Sequence, residues 1–174
     1  MAARGLVIVF TGNGKGKTTA ALGMVLRAAG HDLRVLVLQF IKGAWSPGEE
    51  AAARLLPTVE WQTLGKGFTW RRADPEEDCR LAWQGWQKAL EALTSGRYDL
   101  IILDELNVAL DHGFLELDSV LQGLAQRAPH CHVVITGRNA PAALCAAADC
   151  VTEMVAVKHH YRDQGIKAQR GVEF

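Results

Sequence analysis

Six short apolar runs, separated by stretches with helical spacing, constrain this chain more than any other feature. They are Leu6 to Phe10, Val35 to Phe40, Val59 to Leu64, Leu100 to Leu103, His132 to Thr136 and Val151 to Val157. Most are rich in Val, Ile and Leu on both alternating faces, and a strand apolar on both faces needs a covering layer on each side. Strands that alternate with helical segments are joined by crossovers, which favour parallel pairing. The expectation is therefore an α/β fold of three layers, with a mainly parallel sheet of about six strands between helices. Helices are predicted over Lys17 to Ala29, Glu49 to Leu56, Pro75 to Thr94, Leu117 to Arg127 and Pro141 to Ala147. In the longest, Pro75 suits the first turn and acidic residues follow it, while Ala82, Trp83, Trp86, Ala89, Leu90 and Leu93 form a core-facing stripe. Asp118 reads as the cap of the fourth helix.

Composition agrees with one soluble domain spanning residues 1–174: 49% of the residues are hydrophobic, and 19 Lys plus Arg balance 19 Asp plus Glu. Zero net charge disfavours nucleic acid and anionic membrane as partners, because neither would be drawn by the field of the whole molecule. No apolar run approaches the ~20 residues needed to cross a bilayer. Met1-Ala2-Ala3-Arg4-Gly5 leads straight into the first run without the shape of a signal peptide, so a cytoplasmic location is expected. Cys79, Cys131, Cys145 and Cys150 fall at gaps of 52, 14 and 5 residues, which makes no C-x-x-C pair, and they read as small buried apolar residues. His130 and His132 read as a buried or edge-strand pair rather than a metal site.

Between the first run and the first predicted helix lies Thr11-Gly12-Asn13-Gly14-Lys15-Gly16-Lys17-Thr18-Thr19. This is the setting a phosphate-binding loop needs. Its glycines let backbone N–H groups converge on an anion, the helix N-terminus adds partial positive charge, Lys17 reaches a phosphate oxygen, and Thr18 offers a hydroxyl to Mg²⁺. The loop departs from the usual pattern at one position, with Thr11 where glycine is customary. Lys15 adds a second cation, either solvated or on phosphate. Leu100-Ile101-Ile102-Leu103 then delivers Asp104 and Glu105 to a strand's carboxyl end, where ligands sit in open α/β sheets. Such an acidic pair holds a metal beside a triphosphate, and the architecture becomes a P-loop NTPase fold of the RecA-like kind.

Three further stretches narrow the reading: Gln39-Phe40-Ile41-Lys42-Gly43, Gly65-Lys66-Gly67-Phe68-Thr69-Trp70, and Val157-Lys158-His159-His160 continuing to Gly165-Ile166-Lys167-Ala168-Gln169-Arg170-Gly171. With T-G-N-G-K-G-K-T-T and L-D-E-L-N, they make the chain resemble the P-loop ATP:corrinoid adenosyltransferases over nearly its whole length. The resemblance implies transfer of the 5′-deoxyadenosyl group of ATP to the Co(I) of a reduced corrinoid, with release of triphosphate, in cobalamin biosynthesis or salvage. It implies that Gly12, Asn13, Gly14, Lys15, Gly16, Lys17, Thr18, Thr19 and Arg27 bind ATP. Thr18, Asp104 and Glu105 would hold Mg²⁺, or Mn²⁺ in its place, and Lys17 would also act in catalysis. Phe68 and Trp70 would exclude the lower axial ligand of cobalt; by residue type alone they read as aromatic anchors packed on the core.

The resemblance further implies a homodimer and a flavoprotein reductant; family members often carry an N-terminal extension that helps cover the active site, and this sequence departs from that pattern with only Met1 to Gly5 ahead of the first strand. The tail with Lys158, Arg162, Lys167 and Arg170 is expected to fold back near the phosphates or the corrin amides. Two other readings fit the same loop and acids: an NTP hydrolase or kinase, with Arg138 as a candidate arginine finger, and a non-catalytic module that binds ATP or corrinoid to regulate a partner.

Overall fold

The structure, a computed structural model, describes residues 4–41, 48–64 and 75–173. One sheet runs through them. Its strands are β1 (Val7–Thr11), β2 (Val35–Gln39), β3 (Val59–Thr63), β4 (Leu100–Asp104), β5 (His132–Thr136) and β6 (Cys150–Glu153). Their order in space is β3-β2-β4-β5-β1-β6, and every neighbouring pair is parallel. β2 and β4 are buried at all five positions, as their apolar runs require, whereas the two edge strands are not. The helices are α1 (Lys17–Ala29), α2 (Gly48–Ala53), α3 (Pro75–Thr94), α4 (Leu106–Asp111), α5 (Leu117–Ala125), α6 (Ala142–Ala147) and α7 (His160–Gln164). Among the described residues, no helix is long and apolar enough to cross a membrane.

Alternation along the strands divides the core in two. Val35, Val37, Leu100, Ile102 and Val134 face α1, meeting Ala21, Val25 and Ala28 on one stripe of that helix. Leu36, Leu38, Ile101, Leu103, Val133 and Ile135 face the other way and pack with α3, α4, α5 and α6 through Trp86, Leu93, Leu106, Val120, Leu124 and Leu144. The expected layers are thus present. Trp86 is fully buried, its indole N–H donating to Ser119 Oγ at 3.1 Å.

Several expectations are corrected by packing. The buried stripe of α3 follows Ala82, Trp86, Ala89 and Leu93, and Trp83 falls off its edge at 48% exposure. The second helix ends at Ala53 because the chain tightens ahead of Pro57, with Leu55 and Leu56 bonding back to residues Ala52 and Ala53. β6 stops at Glu153, since β1, its partner among the described residues, ends at Thr11. Asp118 lies inside the first turn of α5, whose cap position belongs to Glu116. His130 is exposed ahead of β5, and half-buried His132 accepts at Nδ1 from the Leu6 N–H at 3.1 Å. Of the four cysteines, only Cys131 is buried; Cys150 is exposed because β6 is an edge.

Two outcomes follow from this packing. A Cβ at Gly123 would stand 2.5 Å from Trp86 Cζ2, so Gly123→Ala should cost about 1–3 kcal/mol in urea unfolding through overpacking. Burial pushes the Cys131 thiol up to about 11. In native protein near pH 8, iodoacetamide should therefore modify Cys150 readily and Cys131 only after unfolding, as peptide mass mapping would record.

A candidate phosphate and metal site at the carboxyl edge of the sheet

The loop after β1 turns through Gly12 at φ 90° and Gly16 at φ 104°, conformations costly for any residue with a Cβ. Gly16 caps α1 without a side-chain hydrogen bond. The helix thus opens with backbone donors facing the loop, the arrangement an anion exploits. Lys17, the first residue of α1, is buried and folds back across the loop, its Nζ donating to the carbonyls of Gly12 at 2.8 Å and Gly14 at 2.7 Å. Burial lowers the pKa of that ammonium, Arg138 and Lys15 lower it further by repulsion, and Glu105 opposes them. Thr11, the departure from the usual loop pattern, accepts at Oγ1 from the Ala140 N–H at 3.1 Å and so ties the loop to the segment after β5. Asn13 and Thr19 are exposed on the loop and first turn.

The glycines have a second duty that anion binding did not foretell. The segment leaving β6 crosses directly over the loop: Met154 N–H donates to Thr11 O at 2.9 Å, and Gly14 N–H donates to Met154 O at 2.6 Å. A Cβ at Gly12 or Gly14 would come within 2.5 Å or 2.7 Å of that same carbonyl.

Facing the loop, Asp104 ends β4 with its side chain buried to 1% exposure. Three neutral groups donate to its carboxylate: Thr18 Oγ1 at 2.9 Å and Thr136 Oγ1 at 2.8 Å to Oδ1, and Gln39 Nε2 at 2.9 Å to Oδ2. Glu105 follows in the left-handed region at φ 62°, its N–H donating to Thr136 Oγ1 at 3.0 Å, and α4 starts from it. A hydroxyl and a carboxylate already in contact beside a glycine loop are hard oxygen donors, suited to a small hard cation that keeps much of its water. The donor set of Thr18 and Asp104, with Glu105 next in the chain, therefore fits an ion such as Mg²⁺ or Mn²⁺.

The tail also reaches this edge, though not through its basic residues. Glu173 lies against the loop with Oε2 3.2 Å from Lys15 Nζ, and its other oxygen contacts His160 Nε2. His159 caps α7, accepting at Nδ1 from the N–H groups of Tyr161 and Arg162. Arg162 pairs with Asp163 at 2.9 Å, and Lys158, Lys167 and Arg170 face solvent. Folding back is therefore as expected, while the charge that meets the loop is a carboxylate.

The structure brings Gly12 to Thr18, Asp104 and Glu105 together. Arg27 stands apart, exposed in the last turn of α1, ten residues and about 15 Å along the axis from Lys17. Phe68 and Trp70 lie outside the described residues, as does the Lys42-Gly43 end of the Gln39-Phe40-Ile41-Lys42-Gly43 motif. Sequence reasoning assigned no role to Gln39 or Thr136. Their signal was present: each is a polar residue that ends a strand directly after an apolar run, Val35 to Leu38 in β2 and Val133 to Ile135 in β5.

Among known proteins, the model of the family described as ATP:corrinoid adenosyltransferase BtuR/CobO/CobP matches residues 3–174. A corrinoid adenosyltransferase of Pseudomonas aeruginosa is 51% identical over 172 residues, covering 98% of this chain and 84% of that one. The corrinoid adenosyltransferase CobA of Salmonella typhimurium is 43% identical over 173 residues, covering 98% and 86%. Among solved structures, the flagellar accessory protein FlaH of Methanocaldococcus jannaschii superposes with a TM-score of 0.59 at 12% identity, over 86% of this chain and 71% of that one, a likeness of fold alone. A family match over residues 3–174, with identity near one half over 98% of the chain, makes this chain a member of the ATP:corrinoid adenosyltransferase family.

Proposed function

We infer that this chain transfers the 5′-deoxyadenosyl group of ATP to the Co(I) of a reduced corrinoid and releases triphosphate. Beyond the family match, one observation carries the reading: Thr18 Oγ1 and Asp104 Oδ1 stand 2.9 Å apart at the mouth of a glycine loop, a place built for a metal-bound triphosphate. In the reaction, the cobalt electron pair forms the Co–C5′ bond, the C5′–O bond breaks, and triphosphate leaves with the pair while cobalt becomes formally Co(III). The nucleophile is the substrate's own metal, so the protein's task is to position and to stabilise the leaving charge.

Thr18 and Asp104, with Glu105, would hold Mg²⁺, or Mn²⁺ in its place. Bound there, the ion would neutralise triphosphate charge and improve the leaving group. Lys17 now donates to two loop carbonyls; a phosphate oxygen is the stronger acceptor and would redirect the ammonium onto the leaving group. Gly12, Asn13, Gly14, Lys15, Gly16 and Thr19 would line the rest of the phosphate cradle, with Lys15 exchanging Glu173 for phosphate. Arg27 remains a proposed nucleotide contact at a distance from the cradle. Phe68 and Trp70 are proposed to keep a lower ligand from cobalt, since an apolar wedge denies the metal a fifth donor and eases reduction of Co(II). A homodimer, a flavoprotein reductant, a cytoplasmic location and a single catalytic unit over residues 1–174 complete the proposal.

Incubating the protein with ATP, Mg²⁺ and chemically reduced corrinoid should give inorganic triphosphate and a product whose visible spectrum changes on illumination. ADP and phosphate would instead indicate a hydrolase or kinase, and binding without turnover a regulatory module. Phe68→Ala and Trp70→Ala should lose far more activity when Co(II) corrinoid is supplied with a weak reductant than when Co(I) is supplied ready-made. Equal losses in both assays would remove the ligand-exclusion role.

A further inference from the structure

β5 lies between the strand that leads into the loop and the strand that carries the acidic pair. Its last residue, Thr136, is completely buried between them. The hydroxyl does two things at once. It donates to Asp104 Oδ1 at 2.8 Å, and it accepts from the Glu105 N–H at 3.0 Å. Directly across β4, Gln39 pairs in register with Asp104 and donates to the other carboxylate oxygen at 2.9 Å. A carboxylate only accepts, so this contact requires the Gln39 amide to present its NH₂ to Asp104. The Gln39 Oε1 is then left buried without a partner among the described residues.

We propose that Thr136 is a positioning residue for the metal-binding acidic pair, with Gln39 as its counterpart on the opposite side of Asp104. Without Thr136 Oγ1, the carboxylate can rotate about its last bond, and Glu105 loses the acceptor that holds its N–H in a left-handed turn. Without Gln39 Nε2, Oδ2 is left buried with one donor fewer. The orphaned Gln39 Oε1 would be available to accept from a water of a bound metal's hydration shell. Both residues act through Asp104 and Glu105 and need not touch the triphosphate.

This role presupposes the metal-triphosphate site proposed above, so the wild type is measured first. The readout is the metal-dependent gain, the ratio of the dissociation constant for ATP in EDTA to that for ATP with saturating Mn²⁺, measured by calorimetry. A wild type with no gain overturns the site itself. With a gain present, Thr136→Val should reduce it by about 10-fold or more, the usual effect of losing a group that orients a metal ligand, while ATP binding in EDTA changes less than about threefold. Thr136→Ser keeps the hydroxyl and should stay near wild type. Gln39→Met removes the other donor at similar length, should reduce the gain in the same way, and decides the matter if Thr136→Val fails to fold. In turnover, the variants should raise the apparent KM for Mg²⁺ while kcat at saturating Mg²⁺ is largely kept. An unchanged gain in the folded variants, an equal loss with and without metal, or a Thr136→Ser loss as large as that of Thr136→Val would each overturn the positioning role.

Discussion

A carboxylate buried at the end of a strand, with neutral donors from three separate elements around it, is the constraint on which the rest of this structure depends. Asp104 sits on β4, but its partners come from α1, β2 and β5. An ionised group with 1% exposure is costly unless its oxygens are hydrogen-bonded, so these elements must reach one point together. The parallel sheet makes this feasible, since every strand ends at the same edge and the register sets Gln39 beside Asp104. Among the described residues the donors to these oxygens are neutral, and a carboxylate held by such donors is suited to a cation.

The phosphate loop is bound by a comparable restriction. Its glycines admit positive φ and an anion, yet Gly12 and Gly14 are also where the chain leaving β6 passes too close for any Cβ. The loop is thus pinned by backbone from the far end of the sequence, and the tail that follows sets Glu173 against Lys15. Lys17, partly desolvated and turned onto the loop, keeps the carbonyls of Gly12 and Gly14 hydrogen-bonded.

Where the apolar pattern was strong, strand positions read from it were accurate to a residue or so, because burial on both faces leaves little freedom. Errors gathered where local pattern competes with edges and ends. Trp83 looked like a core residue by spacing and lies one step off the stripe, Cys150 looked buried and lies on an exposed edge, and the last run was trimmed by the length of its partner. α4 and α7 went unread because each is about a turn and a half long and starts from a cap outside the usual set, a left-handed Glu105 and the imidazole of His159.

The sequence by itself determined the parallel α/β architecture, the glycine loop between a strand and a helix, the acidic pair at a strand end and the family, since each is written in contiguous residues whose spacing has a direct physical meaning. Tertiary structure alone decided that β5 separates loop strand from acid strand, that Thr136 and Gln39 fill the two sides of Asp104, and that Met154 and Glu173 close on the loop. Those pairings join residues 32 to 158 positions apart, and no local periodicity carries them. They exist because strand order and register bring separate chain ends to one edge, where a buried charge and a bare backbone must be satisfied by whatever arrives.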